Sequence, residues 1–252
     1  MTKKPETVKE EDLIVGEDGL YYVKDAKVAF TGTSEELFEN GQLQGRGNYK
    51  NGLAEGLHEV FDEYGELRGK GNYKNGRPEG LHESFWSNGQ LSERVNYKNG
   101  QQEGLNEYFH NNGQLLFKRN FKNGQLEGLN ENFRKNGQLR YRGNYKNGEK
   151  DGLYEWFQDN GQLWLRENFK NGKEDGLTER FHENGQLRLR INYKNRKKDG
   201  LNEGFYDNGQ LQFKLNYKHG KKDGLWEYFD KEGNLTKTEE HNNGKLIHDQ
   251  ET

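Results

Sequence analysis

The sequence predicts an all-β protein, an elongated array of antiparallel β-hairpins forming one long twisted or coiled sheet. Two observations carry this expectation. The glycine that opens the motif G-L-x-E-x-F falls at Gly56, Gly80, Gly104, Gly128, Gly152, Gly176, Gly200 and Gly224, always 24 residues apart, and a weaker ninth copy starts at Gly32. Only 29% of the 252 residues are hydrophobic, against about 45–50% in ordinary domains, yet 14 Tyr, 14 Phe and 4 Trp stand in register with the repeat. A deep core is excluded by the first number, and disorder by the second pattern.

Counting each repeat from its glycine as position 1, Asn-Gly turn signals sit at positions 9–10 and 20–21, as in Asn112-Gly113 and Asn123-Gly124. The segments between them have strand length. Alternation places Leu at 2, Phe at 6, Leu at 12 and Tyr or Phe at 18 on one packed face (Leu105, Phe109, Leu115, Phe121), with the odd positions facing solvent. A three-residue loop with a left-handed glycine pairs 6 with 12 and 4 with 14. The rival two-residue loop instead sets Glu107 at position 4 opposite Lys118 at position 15.

The expected organisation is a flexible leader at 1–12, an N-terminal β cap at 13–31, the array at 32–247 and a tail at 248–252. The stretches 16–32 and 235–249 depart from the consensus, as terminal capping segments do. At about 4.8 Å between strands, equivalent residues of successive repeats lie roughly 9.6 Å apart.

The unit "NGQLRYRGNYKNGEKDGLYEWF" (136–157) resembles the MORN repeat, specifically the variant common in bacterial proteins, and the resemblance extends over 32–247. It implies a hairpin array used for scaffolding, protein binding or, in some relatives, lipid association. Bacterial members carry antitoxin labels or look like exported proteins, and none brings a catalytic motif with it.

Net charge is −3, with 39 basic and 42 acidic residues interspersed, so no field selects nucleic acid or an anionic membrane surface. There is no cysteine, hence no disulfide or thiolate chemistry. No apolar run is long enough to span a bilayer as a helix. Compartment stays open between a secreted protein whose signal has been removed and a cytoplasmic antitoxin-like one.

The glutamate column at position 4 (Glu35, Glu59, Glu83, Glu107, Glu131, Glu155, Glu179, Glu203, Glu227) is too widely spaced for paired-carboxylate catalysis, and reads as bonding to backbone or basic neighbours. The acids at position 24 lack the dense oxygen pattern of a calcium loop, and the histidines at position 3, His58 and His82, stand too far apart to share a metal. No phosphate loop or dinucleotide fingerprint is present. The expectation is a non-enzyme without metal or cofactor.

A partner surface is read from the variable columns. In the Gly152 repeat, Tyr154, Trp156 and Trp164 occupy positions 3, 5 and 13, and the preferred register sets Trp156 opposite Trp164 on the polar face, with Arg140 beside Tyr154 and Arg166 close by. Tyr108, Trp226 and Tyr228 extend this aromatic content, and Tyr, Trp and Arg are the types enriched in binding hot spots. The alternative is that the aromatics pair across strands or pack against a cap or a second copy. The partner called for is a protein, with glycan, anionic lipid and homodimer left open.

Overall fold

The computed structural model describes residues 6–251. They are strands and turns apart from one 3-10 turn at Glu10–Asp12. The chain divides into two compact units, one reaching to Gln125 and including Lys135–Gly137, the other comprising Leu126–Arg134 and the chain from Gln138 on.

Both units are built from the same hairpin. In the first unit, Gly104–Phe109 runs antiparallel to Leu115–Lys122. The loop between them is the expected three-residue one: the His110 N–H donates to the Gln114 carbonyl at 2.8 Å, the Gly113 N–H donates to the His110 carbonyl at 2.9 Å, and Gly113 is left-handed at φ 81. Position 6 therefore pairs with 12, Phe109 with Leu115.

One residue later the expectation fails. A bulge between Tyr108 and Phe109 skips Leu116, so Glu107 faces Lys118, Tyr108 faces Phe117 and Asn106 faces Arg119. The same shift recurs in the second unit, where Trp156 faces Leu165 while Phe157 faces Leu163. Position 4 thus pairs with 15, as the rival register had it, although the loop is the three-residue one.

The bulge reverses the alternation beyond it. Positions 3, 5, 14, 16 and 18 share one face, and 2, 4, 6, 12, 15 and 17 share the other, because cross-strand partners point the same way. Burial follows this division: Asn106, Tyr154 and Trp226 at position 3 are 0%, 1% and 4% exposed, and Val95 at position 16 is 3% exposed. The single packed face expected at positions 2, 6, 12 and 18 is corrected accordingly. Position 18 belongs with the odd columns 3 and 5; column 3 is interior rather than solvent-facing, while column 5 runs from buried Asn132 to Val60, 53% exposed.

Consecutive hairpins join through the second Asn-Gly pair. Lys98 faces Gln101 across a two-residue turn whose Asn99 and Gly100 are both left-handed (φ 52 and 83). A second irregularity at Glu103-Gly104 moves the register, so that Tyr97 faces Gln102 but Arg94 faces Glu107.

Before the first repeat, Glu6–Lys9 pairs in parallel with the start of Gly32–Leu37, so this part of the expected leader is a strand, while residues 1–5 lie outside the described residues. Leu13–Val15 and Tyr21–Val23 form a small separate hairpin. The second strand of the last repeat, Leu235–Asn242, also pairs with Lys245–Glu251, whose residues are all exposed.

Candidate interaction surface

The interior face is a ladder of rings. In the first unit Tyr21, Tyr49, His58, Tyr73, His82 and Tyr97 follow one another with centroids 5.0, 5.4, 4.6, 5.3 and 4.9 Å apart. Position 18 supplies Tyr49, Tyr73 and Tyr97, position 3 the histidines between them, and the hairpin before the first repeat supplies Tyr21. In the second unit Tyr154 sits between Tyr145 (5.7 Å) and Phe169 (5.6 Å), with the Lys150 ammonium 4.2 Å from its centroid. Burial pushes the Tyr49 phenol up to about 12 and lowers the His58 imidazole below its ordinary range, favouring the neutral form of both rings.

Position 3 also serves the backbone of the preceding repeat. His58 Nε2 and His82 Nε2 donate to the carbonyls of Asn48 (2.9 Å) and Asn72 (2.8 Å), and Trp226 Nε1 donates to that of Asn216 (2.8 Å). Where position 3 is asparagine the polarity inverts: the Asn96 and Asn192 N–H groups donate to Asn106 and Asn202 Oδ1, both at 2.8 Å. Size is matched across the same contact. Gly47, Gly71 and Gly143 at position 16 face the large His58, His82 and Tyr154, and a Cβ on any of these glycines would overlap the ring. Val95 and Ile191 instead precede the smaller Asn106 and Asn202. Leu215 beside Trp226 departs from this rule, and nothing in the structure explains it.

The other constant columns tie each repeat to the next. The acid at position 24 accepts from the N–H of the following left-handed turn, as in Glu103 with Asn123 (2.7 Å), Glu127 with Asn147 (2.9 Å) and Asp199 with His219 (2.9 Å). Asparagine at 9 donates to the next turn, as Asn88 does to the Asn111 carbonyl at 2.7 Å, and asparagine at 17 to the next strand, as Asn168 does to Leu177 at 2.7 Å. Glu103→Ala is expected to cost about 1 kcal/mol and to speed hydrogen exchange at the Asn123 amide. Unchanged exchange there would refute this bond.

On the outer face of the second unit, Arg142, Glu155, Arg166, Glu179, Arg190 and Glu203 form an unbroken row of ion pairs at 2.6, 2.9, 3.2, 3.5 and 3.3 Å. In the first unit Glu83 lies between Lys70 (3.1 Å) and Arg94 (3.2 Å). Burial by itself would raise the Glu155 carboxyl, but hydrogen bonds and charge from Arg142 and Arg166 outweigh it and hold the group below the usual range. Beside this row run the position-2 leucines, of which Leu129, Leu153, Leu201 and Leu225 are 37–47% exposed.

A hairpin unit with this turn chemistry has a known counterpart. The family model described as MORN repeat variant matches residues 30–51, 54–75, 78–99, 102–123, 126–147, 150–171, 174–195 and 198–219. The chain belongs to the MORN repeat variant family. No curated protein matches it significantly. The matched MORN-variant segments end at position 20, the first of the two left-handed residues of the two-residue turn, from Asn51 to His219. The hairpin formed by Lys221–Phe229 and Leu235–Asn242 repeats the MORN-variant geometry beyond the last of them.

Within this MORN-variant scaffold the residues singled out from sequence do not form one patch. Tyr154 and Trp226 are interior ladder members, and Trp156 packs against Tyr141 at 4.7 Å on the same interior face. Tyr108 faces Phe117 at 6.3 Å, with the Arg119 guanidinium 5.8 Å from the Tyr108 centroid, and Tyr228 faces Lys237. Arg166 belongs to the ion-pair row. Trp164, 40% exposed, and Arg140 occupy the bulge at position 13, so Trp156 is opposite Leu165 rather than Trp164, and Tyr154 is opposite Gly143 rather than beside Arg140. Sequence reasoning passed over the position-2 leucines as core, because unbroken alternation groups them with the aromatics at 18.

Proposed function

We propose that this chain is a non-enzymatic repeat scaffold that binds a protein partner along its outer face. The observation that carries the reading is the juxtaposition, in the second unit, of the exposed leucines with arginine side chains that are 38–48% exposed. Apolar side chains flanked by arginine are the composition of an interface centre and its margin. The carboxylates of the row are each held by arginine, so they are spoken for as structural charges rather than poised for proton transfer.

Two addresses fit the same surface: a host-facing partner of an exported protein, and a toxin neutralised by an antitoxin-like one. Net charge of −3 gives little long-range attraction to anionic lipid, and the arginines that face outward are already paired.

Purified native protein, a Leu153→Gln/Leu201→Gln variant and a Trp164→Ala/Arg140→Ala variant are to be compared in pull-downs from bacterial lysate and host-surface extract. Binding is then re-measured with each captured partner purified. A native partner whose affinity falls about tenfold or more in the leucine variant, equivalent to about 1.4 kcal/mol, is the expected result. Equal affinity in that variant with loss in the Trp164 variant moves the surface to the bulge column. Salt-sensitive binding to anionic vesicles without any protein partner replaces the reading with a lipid one, and a shift in sedimentation with concentration replaces it with self-association.

A further inference from the structure

Position 13 holds arginine in three repeats, Arg68, Arg140 and Arg188, and the surroundings of the first and last differ instructively. The Arg68 guanidinium is held by the Asp62 carboxylate at position 7 of its own repeat and donates to the Ser87 carbonyl at 3.2 Å. In the Gly176 repeat, position 7 is His182, whose Nε2–H is spent on the Phe205 carbonyl at 2.9 Å. Arg188 is exposed and, among the described residues, makes no ion pair or side-chain hydrogen bond.

Arg188 lines a groove of about 490 Å³ shared with Leu189, Phe205 and Phe213. Its floor exists because position 5 of the adjoining strand is Gly204, the one glycine in that column. A Cβ at Gly204 would overlap the Phe213 ring, so its absence lets the ring lie across the strand and leaves apolar surface open beside it. The far rim carries Lys231, whose ammonium is 3.9 Å from the Asp207 carboxylate. The groove therefore offers an apolar bed, one guanidinium without a counter-ion and a second cation only loosely paired.

We propose that this groove binds a small carboxylic acid with an apolar body. Its carboxylate takes on Arg188 the place that Asp62 takes on Arg68, and its hydrocarbon lies over Leu189 and Phe213. A guanidinium prefers a planar, bidentate oxyanion, and a volume of this size is in the range of small-ligand sites. No position-2 leucine and no member of the ion-pair row lines the groove, so it is separate from the surface those rows make.

The test is a titration of the full chain with 3-phenylpropionate and with octanoate, read from the Leu189 methyl resonances, with 3-phenylpropan-1-ol as the uncharged counterpart. At least one acid is expected to give saturable shifts, with the alcohol roughly tenfold weaker or more. Arg188→Gln should weaken the acid by a similar factor while leaving the melting curve in place, since Arg188 makes no bond to lose. His182→Asp should also weaken it, because it supplies the guanidinium with a carboxylate from within. Asp207→Asn should tighten binding by removing the one negative charge of the rim. Absence of saturable shifts with both acids, an alcohol that binds as tightly as the acid, or an Arg188→Gln protein that titrates like the native one would each overturn the proposal.

Discussion

Gly143→Val is expected to destabilise the protein by about 3 kcal/mol, at the upper end of what overpacking a formed interior costs. Gly143 is not in the left-handed region, so the cost is steric and not conformational. A Cβ there meets the Tyr154 ring, which is 1% exposed and wedged between Tyr145 and Phe169, so it has nowhere to go. The decisive comparison is the double variant Gly143→Val/Tyr154→Asn, which copies the Val95 and Asn106 arrangement found earlier in the chain. Tyr154→Asn alone removes a buried ring and should cost about 3 kcal/mol or more. The double variant should be more stable than the sum of the singles by about 2 kcal/mol, measured as denaturation midpoints. Strict additivity would show that positions 16 and 3 do not constrain each other.

Glu155→Gln is the second large effect. Its side chain is 5% exposed and bonds Arg142 at 2.6 Å and Arg166 at 2.9 Å, so neutralising it leaves two guanidiniums facing one another without a carboxylate between them. Breaking a fully buried pair costs about 3–5 kcal/mol. The arginines here are 48% and 38% exposed, and water screens them, so about 2 kcal/mol is expected. Glu203→Gln, at the end of the row with one bonded arginine, should cost less than half as much. The pH dependence has a definite sign. A carboxyl whose pKa is lowered on folding contributes stability that is complete above its ordinary value of 4.5 and is lost as pH falls through the lowered one. Glu83 acts in the same direction. Native protein should therefore lose stability with acid below about pH 4.5, and Glu155→Gln should lose less over that window; parallel curves for the two would remove Glu155 from the acid response.

The period, the strands, the positions of both turns and the three-residue loop at the first could be read from residues, because Asn-Gly pairs and a spacing of 24 leave few other solutions. The face assignment could not, and the reason is local. The residue that bulges is Gln44, Arg68, Ser92, Leu116, Arg140, Trp164, Arg188, Gln212 or Thr236 according to the repeat, so no side-chain preference marks it. One unpaired residue is enough to send Tyr145 and Leu139 to opposite faces although both stand at even positions. The signal that was present lies in a pair of columns: glycine at 16 before a bulky ring at the next position 3, as with Gly47 and His58 or Gly71 and His82, the Leu215 and Trp226 pair being the exception. A conserved-looking glutamate column also concealed its partner, because charge complementarity with position 15 argued for a register that the loop length argued against. Both were right, on either side of the bulge.

The bonds made by positions 9, 17 and 24 all reach forward, from one repeat to the turn or strand of its successor. An internal repeat presents the donors and the carboxylate that a further copy would need, whereas the ninth carries Glu232, Glu240 and Ile247 at these three positions. Growth or loss of one whole 24-residue module keeps every such bond in phase, whereas an insertion of one or two residues puts all of them out. Length in this protein is thus a quantised trait, changing in steps of one 24-residue module that brings no new kind of contact.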